Sequence, residues 1–188
     1  MSRLTGHPED SRDLQRLADL IRARNANETA ISRITGRPAH PSHIAKYIAS
    51  RIFDIELARR ANNPGSSGRF RSGRFAGKSV NVKWYPKRQG TLDIGKFVPD
   101  VYLVLAGPKS AAATSRGTVS PWGIREVFLF EAKPLLAALG ERCVKVGNAT
   151  GLREEDWARA RIYPASNGGP LGLTAAQRCG LGLFDLFR

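Results

Sequence analysis

The chain has 188 residues, of which 30 are Lys or Arg and 16 are Asp or Glu, a formal charge of +14. That length suits one domain with a small extension, able to bury a core without disulfide or metal staples, and the charge excess points to a polyanionic partner, nucleic acid first. No apolar run reaches the roughly 18 residues of a membrane span, MSRLTGHPEDSRD lacks a signal-peptide core, and Cys143 and Cys179 match no metal or disulfide spacing, so a soluble cytoplasmic protein with no membrane partner is expected.

Leu14, Leu17, Ala18 and Ile21 recur at helical spacing after a polar start, predicting a helix over about 10–25, and a short second helix is expected over 29–35, ended by Gly36. Pro38 and Pro41 introduce a third helix, capped by Ser42, in which Ile44, Ile48, Ile52 and Ile55 would form one buried stripe. The polar run 62–68 breaks it. A hairpin should follow, with arms at 69–71 and 79–85 joined near Gly73 or Gly77; in its second arm Val80, Val82 and Trp84 alternate with Asn81, Lys83 and Tyr85. VYLVL (101–105) and residues 127–130 in EVFLF read as buried strands. The Gly, Ala, Ser and Thr-rich stretch between them carries Lys109 and Arg116 and is long enough for a flap over a phosphate backbone. Beyond Pro134 come a helix, a short strand at 144–146, a charged helix in LREEDWARARI, a linker at 166–170 and a last helix capped by Thr174. This order is mixed α/β.

The charge is uneven: residues 57–92 contain Arg59, Arg60, Arg69, Arg71, Arg74, Lys78, Lys83, Lys87 and Arg88 and no carboxylate. Arg69, Arg71, Arg74, Lys78, Lys87 and Arg88 are the candidates for gripping phosphates. Trp84 and Tyr85, among these cations, could stack on an unpaired base or pack into the core. His7, His40 and His43 show no metal-ligand spacing.

HIAKYIASRIFDIELA, GSSGRF, GKSVNVKWYPKRQGTLDI and PDVYLVLAGPKSAAATSRG together resemble an uncharacterised bacterial domain family allied to the PD-(D/E)XK, restriction-endonuclease-like superfamily, over roughly residues 30–188. The resemblance implies an αβββαβ core over 37–188 behind a helical extension at 1–36, magnesium-dependent cleavage of DNA where the site is intact, and pairing of two copies. It also implies acids on the first helix and at the start of the second strand, and an acid or amide two residues before a lysine on the third strand, where carboxylates hold the cation and the lysine positions water. In this chain those positions are Lys46, Ser67, and Asn81 with Lys83; only the last pair keeps the pattern. Asp100, at the start of a strand, is a further candidate catalytic group and metal ligand. A literal alternative reads Pro99-Asp100 with Glu131-Ala132-Lys133, making Glu131 and Lys133 catalytic. Three functions are therefore open: a DNA-binding protein of nuclease-like fold with a degenerate metal site, an active magnesium-dependent endonuclease of restriction or phage-defence type, and a basic subunit that binds RNA or an acidic protein.

Overall fold

A computed structural model describes residues 8–60, 65–88, 90–109, 121–164 and 169–186. The chain divides into two compact units, Met1–Ile44 and Ala45–Arg188.

In the first unit the two expected helices are one, α1 (Pro8–Thr35). The Asn25-Ala26-Asn27 stretch stays helical because local pairs support it: Arg24 Nε donates to Glu28 at 2.7 Å, and Thr29 Oγ1 donates back to the Asn25 carbonyl at 2.9 Å. Gly36, at φ 65°, ends the helix as expected, its N–H donating to Ser32. Leu14, Leu17 and Ile21 are exposed.

The next helix, α2 (Pro41–Ile52), departs from the sequence reading at both ends. Pro41 takes the first helical position, and the His40 ring, not Ser42, receives a free amide: Ser42 N–H donates to His40 Nδ1 at 3.3 Å. At the other end Asp54 adopts φ 50°, its carboxylate held by Arg71 Nε and Ser72 Oγ. That reversal starts a strand, so Ile55 belongs to β1 (Ile55–Leu57) and not to the helical stripe.

The second unit is built on a mostly antiparallel sheet. Its strands, β1, β2 (Gly68–Phe70), β3 (Ser79–Tyr85), β5 (Val101–Ala106), β6 (Glu126–Glu131) and β8 (Arg161–Tyr163), lie in that spatial order, and β4 (Thr91–Leu92) pairs separately with β7 (Thr150–Gly151). Only β3 and β5 run parallel, with Val80 opposite Val101 and Lys83 opposite Val104. Parallel neighbours need a crossover, usually helical; here the described residues between them hold β4 and no helix. The hairpin linking β2 and β3 turns through Gly73 and Gly77, both at positive φ. Gly68 is required for a different reason: a Cβ there would lie 2.1 Å from the Glu56 carbonyl oxygen on β1.

Strand β5 is buried along its whole length, as its continuous apolar sequence requires. Tyr102, Val104 and Ala106 join Phe128, Phe130, Leu92 and Ile94 in a core closed by α3 (Ala132–Glu141) and α4 (Glu154–Ala160) through Leu135, Leu139 and Trp157. The opposite side of the sheet carries Val80, Val82, Leu103 and Leu105, all buried. The last helix, α5 (Ala175–Gly182), has its expected cap, Thr174 Oγ1 accepting from Gln177 N–H, and Gln177 Nε2 bonds the Ile52 carbonyl at the end of α2.

The strand expected at 144–146 does not form, because Val144 donates its N–H to Leu139 and wraps the end of α3 instead. The charged helix stops at Ala160, and Arg161–Tyr163 continues as β8. The flap with Arg116, the linker at 166–168 and His7 lie outside the described residues. No helix among the described residues is long and apolar enough to cross a membrane.

Candidate nucleic-acid interface

The loop before β2 and the strand β3 bring the motif positions together, but as braces. Ser67 is 6% exposed; its N–H donates to Val80 and its Oγ accepts the Val82 N–H at 3.0 Å, so the residue standing where the resemblance wants an Asp is spent on the strand ladder. Asn81 points its amide at the Gly65 carbonyl, 3.0 Å away. Lys83 is half-buried, and burial holds its ammonium below the usual lysine range while Asp93 pulls it part of the way back. Asp93 is itself engaged, its Oδ2 accepting from the Tyr85 hydroxyl and its Oδ1 from Ala149 N–H. Lys46, on α2, is half-buried.

Asp100 does not meet Lys83. Its Oδ2 accepts both the N–H and the hydroxyl of Ser79, at 2.8 and 2.7 Å, and these bonds first, with Lys78 and Arg69 behind them, hold its carboxyl below the usual range. Lys83 lies roughly 13 Å further along the same strand at about 3.3 Å per residue. The set Asn81, Lys83 and Asp100 is therefore split, with Asp100 clamping the first residue of β3.

The literal alternative is spatially compact. Glu131 pairs with Val101 across the sheet, and Ala132 N–H donates to the Asp100 carbonyl at 2.9 Å. Asp100, Glu131 and Lys133 line one cleft of about 560 Å³ with Arg74 and Lys78. Lys133 sits in the first turn of α3 just before Pro134, the junction its sequence foretold. Magnesium needs oxygen ligands in near-octahedral array, and these residues do not fit it. Glu131 Oε1 accepts from Arg74 at 3.0 Å, Asp100 is bound to Ser79, and Arg74, Lys78 and Lys133 bring positive charge to the same space. Two like charges about 4 Å apart cost roughly 4 kcal/mol at an effective dielectric of 20. Among the described residues no group of three or more His, Cys, Asp or Glu could hold a metal.

The six cations proposed to grip phosphate separate by burial. Arg69, Arg71, Arg74 and Lys78 are exposed on the β2–β3 hairpin, Arg71 paired to Asp54 at 2.7 Å and Lys78 at 3.9 Å from Asp100. Lys87 is half-buried. Arg88 leaves the set: it is buried, pairs with Glu126 at 3.1 Å and Glu154 at 3.0 Å, and lies over the rings of Phe128 and Trp157. Trp84 also proves structural, stacking on Trp122 at 5.5 Å and donating to the Gly123 carbonyl, and Tyr85 packs against the core.

A second cleft, of about 500 Å³, opens beside the first and is lined by Arg59, Ser66, Arg69, Ser79 and Phe97 among others. The two share Val98 and Pro99. Phe97 and the pairing of Arg59 with Arg69 were missed by sequence reasoning; the only signal was an apolar pair, Phe97-Val98, set between Lys96 and Pro99 in a loop. Compared with family models, with curated proteins and with solved structures, the chain finds no match.

Proposed function

We propose that the protein binds DNA through the end of the sheet where β3 and β5 begin, using a nuclease-like fold whose metal site has degenerated. One observation carries this reading: Arg59, Arg69, Arg74, Lys78 and Lys133 line two adjoining clefts, while Ser67, standing where an acid is expected, is neutral and, like the pattern-keeping Asn81, is committed to the backbone. Against these five cations the clefts hold three carboxylates, Glu56, Asp100 and Glu131, and the remaining positive excess attracts phosphate and opposes a divalent cation. The order of α2, three antiparallel strands and then β5 parallel to β3 supports the first part of an αβββαβ core.

The test is a salt series of binding to duplex DNA followed by fluorescence anisotropy between about 50 and 200 mM salt. Binding should weaken steeply with salt, and replacing Arg69, Arg74 and Lys78 by Glu should lower the log–log slope by about 0.9 for each phosphate that is no longer neutralised. Affinity that ignores salt, or survives the triple reversal, refutes the proposal and favours an RNA or acidic protein partner.

The second reading, metal-dependent cleavage, has only the common cleft of Asp100, Glu131 and Lys133 on its side, and their partners Ser79 and Arg74 stand against it. Plasmid nicking in magnesium or manganese that disappears in Asp100→Ala or Glu131→Gln would establish it over the first.

A further inference from the structure

The two clefts meet at Val98 and Pro99, and Phe97, which lines the Arg59–Arg69 cleft, stands next to that junction. Phe97 is 65% exposed and Val98 47%, and Phe97 is the one Phe, Tyr or Trp that is exposed among the described residues. Its backbone is nonetheless fixed. Gly65, at φ 74°, comes so close that a Cβ on it would lie 2.4 Å from both the Cβ and the carbonyl oxygen of Phe97. The Gly65 carbonyl is in turn held by Asn81 Nδ2 at 3.0 Å. A line of support runs from the middle of β3 through Gly65 to an aromatic ring presented to solvent.

The surroundings limit what that ring can receive. Arg59 and Arg69 lie on one side, and Arg74, Lys78 and Lys133 on the other. An apolar protein or lipid tail would have to desolvate these cations without replacing their water, which is costly. The acids nearby offset part of this charge, since Glu131 is bound to Arg74, Asp100 lies 3.9 Å from Lys78 and Glu56 faces Arg69 across β1 and β2, but five cations against three carboxylates leave the two clefts positive. An occupant that brings a flat π face together with flanking negative charges satisfies both features, and an unpaired nucleotide in a strand does so.

We propose that Phe97 is the stacking platform for one unpaired base, with the strand's phosphates running from the Arg59–Arg69 cleft to the Arg74–Lys78–Lys133 cleft. This deepens the DNA-binding reading and rests on it. Asn81 and Gly65 are positioning residues that act through the ring.

Three labelled oligonucleotides test it: a single strand, a fully paired duplex, and the same duplex with one unpaired 2-aminopurine. The wild-type chain should prefer the first and third, and 2-aminopurine fluorescence should be quenched on binding. Phe97→Ala should weaken binding of those two by roughly 5- to 150-fold, as loss of one base–aromatic stack does, with paired-duplex affinity changed less than about twofold and the salt slope kept. Phe97→Trp should restore both preference and quenching, and Gly65→Ala should reduce them without removing the ring. Phe97 is exposed, so its truncation leaves the thermal midpoint in place. If Phe97→Ala binds the unpaired substrates as tightly as wild type while salt-dependent duplex binding persists, the stacking platform is wrong and the DNA-binding reading stands. If the wild type binds none of the three in a salt-dependent way, both are wrong.

Discussion

Methionine at position 88 would keep an apolar stem against Phe128 and Trp157, over which the Arg88 guanidinium carbon now sits 5.6 Å from each ring centroid, but would delete the charge. The two acids that lose a partner are unequal. Glu154 has a side chain 61% exposed, so its pair with Arg88 is screened and contributes at most about 1 kcal/mol. Glu126 is only 12% exposed and would be left with Arg161, 3.7 Å away, as its remaining ion-pair partner among those described. Taking one partner from a buried charge pair costs about 3–5 kcal/mol; Arg161 still faces Glu126 at 3.7 Å, so Arg88→Met should destabilise by the lower end of that range, about 3 kcal/mol, and Glu154→Gln by less than about 1 kcal/mol. Urea unfolding reads both as a shift in midpoint at unchanged slope. Adding Glu126→Gln to Arg88→Met should recover half or more of the loss, because the neutral amide removes the stranded charge. At a temperature where the variant is folded, its salt slope for DNA should equal that of the wild type. A cost below about 1 kcal/mol, or no recovery in the double variant, refutes the reasoning about burial; a lower salt slope would return Arg88 to the phosphate-binding set.

Ser67→Ala should cost about 1–3 kcal/mol, since the buried Val82 N–H loses the hydroxyl that accepts it, and hydrogen exchange at the Val82 amide should quicken; an unchanged exchange rate would show that the bond is dispensable. Acid should act through Glu154, whose carboxyl is lowered to about 2 by hydrogen bonds from Arg88 and then Lys109. A group depressed in the folded state stabilises fully above its unfolded value of about 4.3, and that contribution is lost as pH falls from there through about 2. Thermal midpoints should therefore drop across that window, and Glu154→Gln should make the drop shallower; an identical profile in the variant would sink the assignment.

The long apolar strands were legible because burial on both faces leaves a continuous run: Val101–Ala106 and Glu126–Glu131 formed where VYLVL and EVFLF stand. Local chemistry was legible too, in the turn glycines 73 and 77 and in the Thr174 cap. β1 was hidden because Ile55 continues the helical spacing of Ile44, Ile48 and Ile52, and only the left-handed Asp54, fixed by Arg71 and Ser72 from a later hairpin, interrupts it. β4 and β7 are two residues each, too short to alternate. At the site, the neutral residues Ser67 and Asn81 could be named from the motif, but not the backbone groups they hold. Arg88 looked like its basic neighbours because the acids that bury it, Glu126 and Glu154, are 38 and 66 positions away. The prominence of Phe97 depends on its close approach to Gly65, which no local pattern encodes.

Among the described residues the sheet ends on each side in a strand of three residues, Ile55–Leu57 and Arg161–Tyr163. Each margin offers an incoming chain a template of only about 10 Å, too short to recruit it by main-chain zippering, and the broad strands that would do so are shut inside. Growth of the sheet from one molecule into the next, the route to fibres, is starved at both borders.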